Sequence, residues 1–217
     1  MTPSQPATPA PTQRLFLLAT LAIIGQVIFL ASAWLLPLVS EYSLISDTIS
    51  ELALGRFGFV QTGAFVISGL GVLGLAYAIR RLTTGARGSL AGSLLLAVYG
   101  VGTVLAAVFP TDRIDSAADL QTMSATSLIH SLVALVSFFC VIVGMAVLSW
   151  TFRRTARWRS LTPWAALLAA AAALLLIVFL NEPQGPWAGI IQRGLVTVIA
   201  IWLIMAAWRA RAIVAPA

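Results

Sequence analysis

Four residues in this chain have the types and setting to do chemistry together. Asp47 and Glu51 are carboxylates four positions apart, His130 is the single histidine, and Arg193 follows Gln192 at the start of an apolar run. A histidine beside a carboxylate can act as acid or base, and an arginine can hold an anionic group. The carboxylate pair lies in S-L-I-S-D-T-I-S-E-L-A-L-G, residues 43–55, in a chain with only 7 acidic residues. On a helix, Asp47, Ser50 and Glu51 would share one face, and Ile45, Ile49 and Leu52 another. Thr48 and Glu51 have capping-box spacing, and Gly55 is a natural stop. The stretch therefore reads as a short amphipathic helix at a membrane surface, its carboxylates turned toward the rest of the protein. One histidine excludes a three-histidine zinc site, and neither a metal nor a cofactor is expected.

The elements that position these residues follow from composition. The 217 residues are 60% hydrophobic and only 9% charged, against about 25% charged in a soluble domain. So few charges cannot cover a water-facing surface, so the chain is read as an integral membrane protein. The formal charge of +6 is not a nucleic-acid signal, because the arginines sit at the ends of apolar runs where lipid headgroups explain them. Membrane lipids are the expected partners. The single cysteine, Cys140, sits mid-run and allows no disulfide within the chain.

Six apolar runs of about 20 residues predict an all-α bundle of six transmembrane helices. Their spans are about residues 15–36, 58–79, 89–109, 128–150, 161–180 and 187–208. Residues 1–14 read as a disordered cytoplasmic tail and 210–217 as a second short tail, leaving one membrane domain over 15–209. A second reading of the first run, with Ala31-Ser32-Ala33 as a cleavage site, makes it a signal peptide. The second and third runs carry glycine-rich faces, including Gly88 and Gly92 in a G-x-x-x-G. Such faces serve close packing within the bundle or a homo-oligomer. Gln26, Gln61 and Ser68 are polar groups in or near spans, and inter-helix hydrogen bonds are their default role.

Orientation follows from charge. Arg14, Arg80, Arg81, Arg87, Arg153, Arg154, Arg157, Arg159, Arg209 and Arg211 fall on one side, and only Arg56, Arg113 and Arg193 on the other. The rule that basic loops stay inside puts both termini in the cytoplasm of a multi-pass plasma-membrane protein. All the acidic residues then lie on the outer side. There, Asp47, Ser50, Glu51, Gln61, Asp112, Arg113, His130, Glu182, Gln192 and Arg193 are expected at one depth. His130, Glu51 and Asp47 are the candidate catalytic groups. Arg193, Gln192, Ser50, Asp112 and Gln61 are the candidate ligand-binding groups.

Four uses of this group compete: an ion-paired clamp between Arg193 and Glu51 or Asp47; a pocket or enzyme for a lipid or lipid-linked molecule; a solute path; and a weak metal site. The cytoplasmic halves of the spans hold almost no ionisable residue, which argues against a continuous path. Ser50 or Ser46 with His130 and Asp47 would form a Ser–His–Asp triad, though no nucleophile elbow accompanies it.

The motif S-D-T-I-S-E-L-A-L-G (residues 46–55) with Gly58 and Gln61 resembles the opening signature of a bacterial and archaeal family, domain of unknown function 998. F-P-T-D (residues 109–112), His130 and G-I-I-Q-R-G (residues 189–194) are similar to its later motifs. The resemblance covers roughly residues 15–209 and implies six membrane helices, with no assigned reaction. A looser similarity to the six-span Frag/DRAM/Sfk group implies a lipid-related role.

Overall fold

A computed structural model describes residues 11–113 and 122–215. Asp115 and Asp119 and the first ten residues lie outside the described part. The described residues form six α-helices: α1 (Pro11–Leu35), α2 (Gly58–Leu82), α3 (Ser89–Val108), α4 (Ala125–Arg153), α5 (Thr162–Asn181) and α6 (Ala188–Val214). Each is long and apolar enough to cross a membrane. Leu132, Phe139 and Leu174 are 63%, 63% and 62% exposed, an apolar surface that suits lipid rather than water. The chain is a multi-pass membrane protein.

Each helix packs on its neighbours in the chain, and α6 returns to α1, closing a ring; α6 also reaches α2. Association in lipid rests on close packing and hydrogen bonds, because the tails are as apolar as leucine. Small residues supply the closeness. A Cβ at Gly69 would lie 2.6 Å from the Gly100 carbonyl oxygen, and one at Gly100 2.9 Å from that of Gly69, so α2 and α3 touch backbone to backbone. A Cβ at Gly92 would meet the Leu148 side chain of α4. These glycines pack inside the chain. Gln26 donates to Ser68 at 2.8 Å, joining α1 to α2.

The α1–α2, α3–α4 and α5–α6 connections meet at one end of the bundle, here the acidic end. The α2–α3 and α4–α5 connections lie at the other, the arginine end, where Thr151 Oγ1 donates to the Arg87 carbonyl at 3.0 Å. The helix boundaries differ from the apolar runs because helices outlast hydrophobicity. α1 already begins at Pro11, a favoured first helical residue, so Arg14 is helical. α6 continues through Arg209 and Arg211 to Val214.

Residues 43–55 are not a continuous α-helix. They form successive turns closed by one 3₁₀ helix, Glu51–Ala53. Serine, aspartate and glutamate side chains here bond nearby backbone, an alternative to helical bonding. Ser43 N–H donates to Asp47 Oδ2 at 2.8 Å, and Thr48 N–H donates to Glu51 Oε2 at 2.6 Å. The second of these is one half of the expected capping box. The other half is replaced, since the Thr48 hydroxyl also turns to Glu51 Oε2, at 2.8 Å.

Candidate functional site

The turn 43–50 sits on the start of α6. A helix leaves its first N–H groups without intrahelical partners. Here Gly189 N–H donates to the Ser46 carbonyl at 3.2 Å and Ile190 N–H to that of Ile45 at 2.9 Å. Gly189 permits this approach, because a Cβ there would lie 2.9 Å from both Asp47 N and Arg193 Nη1. One turn further along α6, fully buried Arg193 completes the attachment. Its Nε donates to the Ala33 carbonyl at 2.9 Å, and its Nη1 to those of Leu44 at 3.2 Å and Asp47 at 2.6 Å. Nη2 has no hydrogen-bond partner among the described residues. The guanidinium thus joins the end of α1, the acidic turn and α6 through carbonyl oxygens, not through the carboxylates expected from sequence. The carboxylates are engaged elsewhere: Asp47 accepts from Ser43 and the Ser46 hydroxyl, and Glu51 from Thr48.

Gln192, the preceding residue on α6, accepts from Ile49 N–H through Oε1 at 2.7 Å. That fixes the amide's orientation, since only the oxygen can accept. His130, on the second turn of α4, is 5% exposed. Its Nδ1 lies 2.7 Å from the Phe109 carbonyl oxygen and its Nε2 2.9 Å from Ser50 Oγ. Neither Asp47 nor Glu51 bonds to His130. Phe109 follows the end of α3, so the imidazole joins α3, α4 and the acidic turn.

Other candidates have separate roles. Asp112 Oδ2 accepts from Ser124 N–H at 2.6 Å and Oδ1 from the Ser124 hydroxyl at 2.9 Å. Ser124 in turn caps α4, accepting from Ser127 N–H at 3.2 Å. Asp112 therefore anchors the start of α4. Gln61 is fully buried and neither amide atom has a hydrogen-bond partner among the described residues, unlike the Gln26–Ser68 pair. Arg113 lies over the Tyr42 ring, 5.3 Å from its centroid. Burial pushes the Tyr42 phenol above its usual range, opposed by that guanidinium. Glu182 is exposed on the α5–α6 turn. Among the described residues, no three histidine, cysteine or acidic side chains gather as a metal set.

Two cavities flank the Ser50–His130 contact. A cleft of about 360 Å³ runs between α4 and α5 toward α6. Its walls are largely apolar, with Leu128 and Leu135 on α4 and Leu176 and Phe179 on α5, and Thr48, Ser50, His130 and Gln192 form its polar end. A smaller chamber of about 50 Å³ lies deeper among the helices, with Tyr99, Thr103 and Ser137 in its lining. Ser50, His130, Ala134, Phe138 and Gln192 line both. The Phe109 carbonyl was missed in the sequence because a backbone acceptor has no residue signature.

No curated protein sequence and no solved structure matches the chain. The family model described as "Protein of unknown function (DUF998)" matches residues 23–209, a stretch that holds α2 to α5 whole, parts of α1 and α6 and every group around the cleft, and the chain belongs to that family.

Proposed function

We propose that this membrane protein binds an amphiphilic, lipid-like molecule in the α4–α5 cleft. The observation that carries the reading is the mixed lining of the cleft, apolar walls beside a small group of polar side chains. Leu128, Leu135, Leu176 and Phe179 give it apolar walls that suit an acyl or isoprenoid chain. Ser50, His130 and Gln192 give it a polar end that suits an ester, amide or hydroxyl group. Binding sites of this kind are mostly apolar with a few placed polar groups. Arg193 supports the reading as scaffold, holding the acidic turn that carries Ser50. With ten arginines at the opposite end, the cleft faces outward from a plasma membrane.

The test is photolabelling in nanodiscs with a phosphatidylcholine bearing a diazirine on its acyl chain. Label is expected on α4 and α5 around Leu135 and Phe179. Ala134→Trp fills the cleft and is expected to reduce that label several-fold. Label spread evenly over all six helices, unchanged by Ala134→Trp, overturns the reading. Membrane-impermeant labelling of single cysteines at Glu182 and Arg157 tests the orientation: only the first is expected to react in intact cells.

A further inference from the structure

We infer that Ser50 is the nucleophile, and His130 the base, of an ester-hydrolysing centre acting on an amphiphile held in the cleft. The inference rests on the cleft reading above and adds a reaction to it.

The tautomer comes first. A carbonyl oxygen only accepts, so the 2.7 Å contact with Phe109 requires the proton on His130 Nδ1. In the neutral ring Nε2 is then the acceptor, and the 2.9 Å contact has Ser50 Oγ–H donating to it. That is the arrangement in which an imidazole can take a serine proton, with a third group orienting the ring. Here the orienting group is a backbone carbonyl dipole in place of a carboxylate. It fixes the ring's orientation and its tautomer.

The surroundings supply the other parts. Gln192 Oε1 is committed to Ile49 N–H, so its Nε2 is directed elsewhere and makes no hydrogen bond among the described residues. Gln192 lines both cavities beside Ser50. Its uncommitted Nε2 is the group assigned here to donate to an oxyanion, the usual service of a fixed amide in acyl transfer. The 50 Å³ chamber, with its hydroxyl-bearing lining, has room for water, which needs roughly 10–15 Å³ of such space per molecule. The Ser50–His130 pair therefore stands between a cleft large enough for the ester and a smaller chamber with room for water.

The steps balance with water as the only co-reactant. Ser50 Oγ gives its proton to His130 Nε2 and bonds to the ester carbonyl carbon. The carbon–oxygen bond to the alcohol breaks, and the alcohol leaves with the proton from Nε2. Water then gives a proton to Nε2 and its oxygen to the acyl carbon. The bond to Ser50 breaks, Oγ recovers the proton, and a carboxylic acid is released.

The test uses the full chain in phosphatidylcholine nanodiscs with a long-chain alkyl fluorophosphonate, read by intact mass and peptide mapping. One phosphonyl adduct on Ser50 is expected, absent in Ser50→Ala. In His130→Gln its rate is expected to fall by about 100-fold, within the usual contribution of a general base. The diazirine lipid is applied to every variant in parallel, which reports whether each has kept its cleft. Ser50→Cys guards against misfolding of the histidine variant: an alkyl iodoacetamide should label it in the presence of His130 faster than in Ser50→Cys with His130→Gln. No adduct on Ser50 in protein whose cleft takes the lipid label overturns the reaction and leaves the binding reading standing. An adduct that forms equally fast without His130 also overturns it. Loss of both labels from the wild-type chain overturns both readings.

Discussion

The two ends of the bundle differ in what holds them: stacked rings reinforce polar bonds such as Thr151 to the Arg87 carbonyl at one, and polar bonds to backbone dominate at the other. At the arginine end, Phe152 stacks between Trp158 and Trp202, with ring centroids 4.4 Å and 5.9 Å apart. All three rings are buried, and arginines such as Arg154, 4.0 Å from the Trp150 ring centroid, lie outside them. At the acidic end, single polar side chains reach across to backbone: Arg193 to three carbonyls, Gln192 to Ile49, His130 to Phe109. Rings fill volume and leave little space. Hydrogen bonds fix positions at points and need not fill the space between them. The cleft and the chamber both border the polar bonds, and neither is lined by the stacked rings. Rigidity without filling is what a binding site requires.

Substitutions at the two ends should separate these roles. Trp202→Ala removes one of the two stacked indoles and is expected to cost about 3–5 kcal/mol. Thermal unfolding in detergent checks this, and lipid label at the cleft should survive below the new midpoint. Arg193→Met strands three carbonyl acceptors. At about 1 kcal/mol or more each, the loss approaches that of the tryptophan, but here the lipid label should disappear with it. Unchanged label in Arg193→Met would break the comparison. Gln192→Leu leaves Ile49 N–H without its acceptor and is expected to lower stability by about 1–2 kcal/mol, with protection of the Ile49 amide in hydrogen exchange falling first. Gln26→Leu, remote from both ends, removes one inter-helix bond worth about 0.6 kcal/mol. It sets the scale against which the other shifts are read.

Much of the architecture was legible from residue types, because a bilayer demands long apolar helices and little else has that signature. The convergence of Asp47, His130 and Arg193 at one end was legible for the same reason: even-numbered crossings return the chain to the same side. The pairing was not. Arg193 was expected to meet a carboxylate and meets carbonyls, because Asp47 and Glu51 satisfy the N–H and hydroxyl groups of their own turn. That same local bonding turned the expected amphipathic helix of residues 43–55 into turns. Helical periodicity counts side chains by face, and it is blind to side chains that bond their own backbone. Gln61 was expected to join a neighbouring helix as Gln26 does. Its burial without a partner among the described residues has no account in the surrounding packing.

Arg193 meets Ala33 across 160 positions of sequence, and this sets an order of assembly. A nascent polypeptide emerging from the ribosome has made the acidic turn long before it has made the residue that seats it. Chains halted before Gly189 should therefore carry a loose, protease-accessible segment between the first two helices, and full-length chains should lose that cleavage. Maturation of the pocket would then coincide with the insertion of the final helix, so a partly synthesised copy would have no working cleft in the membrane.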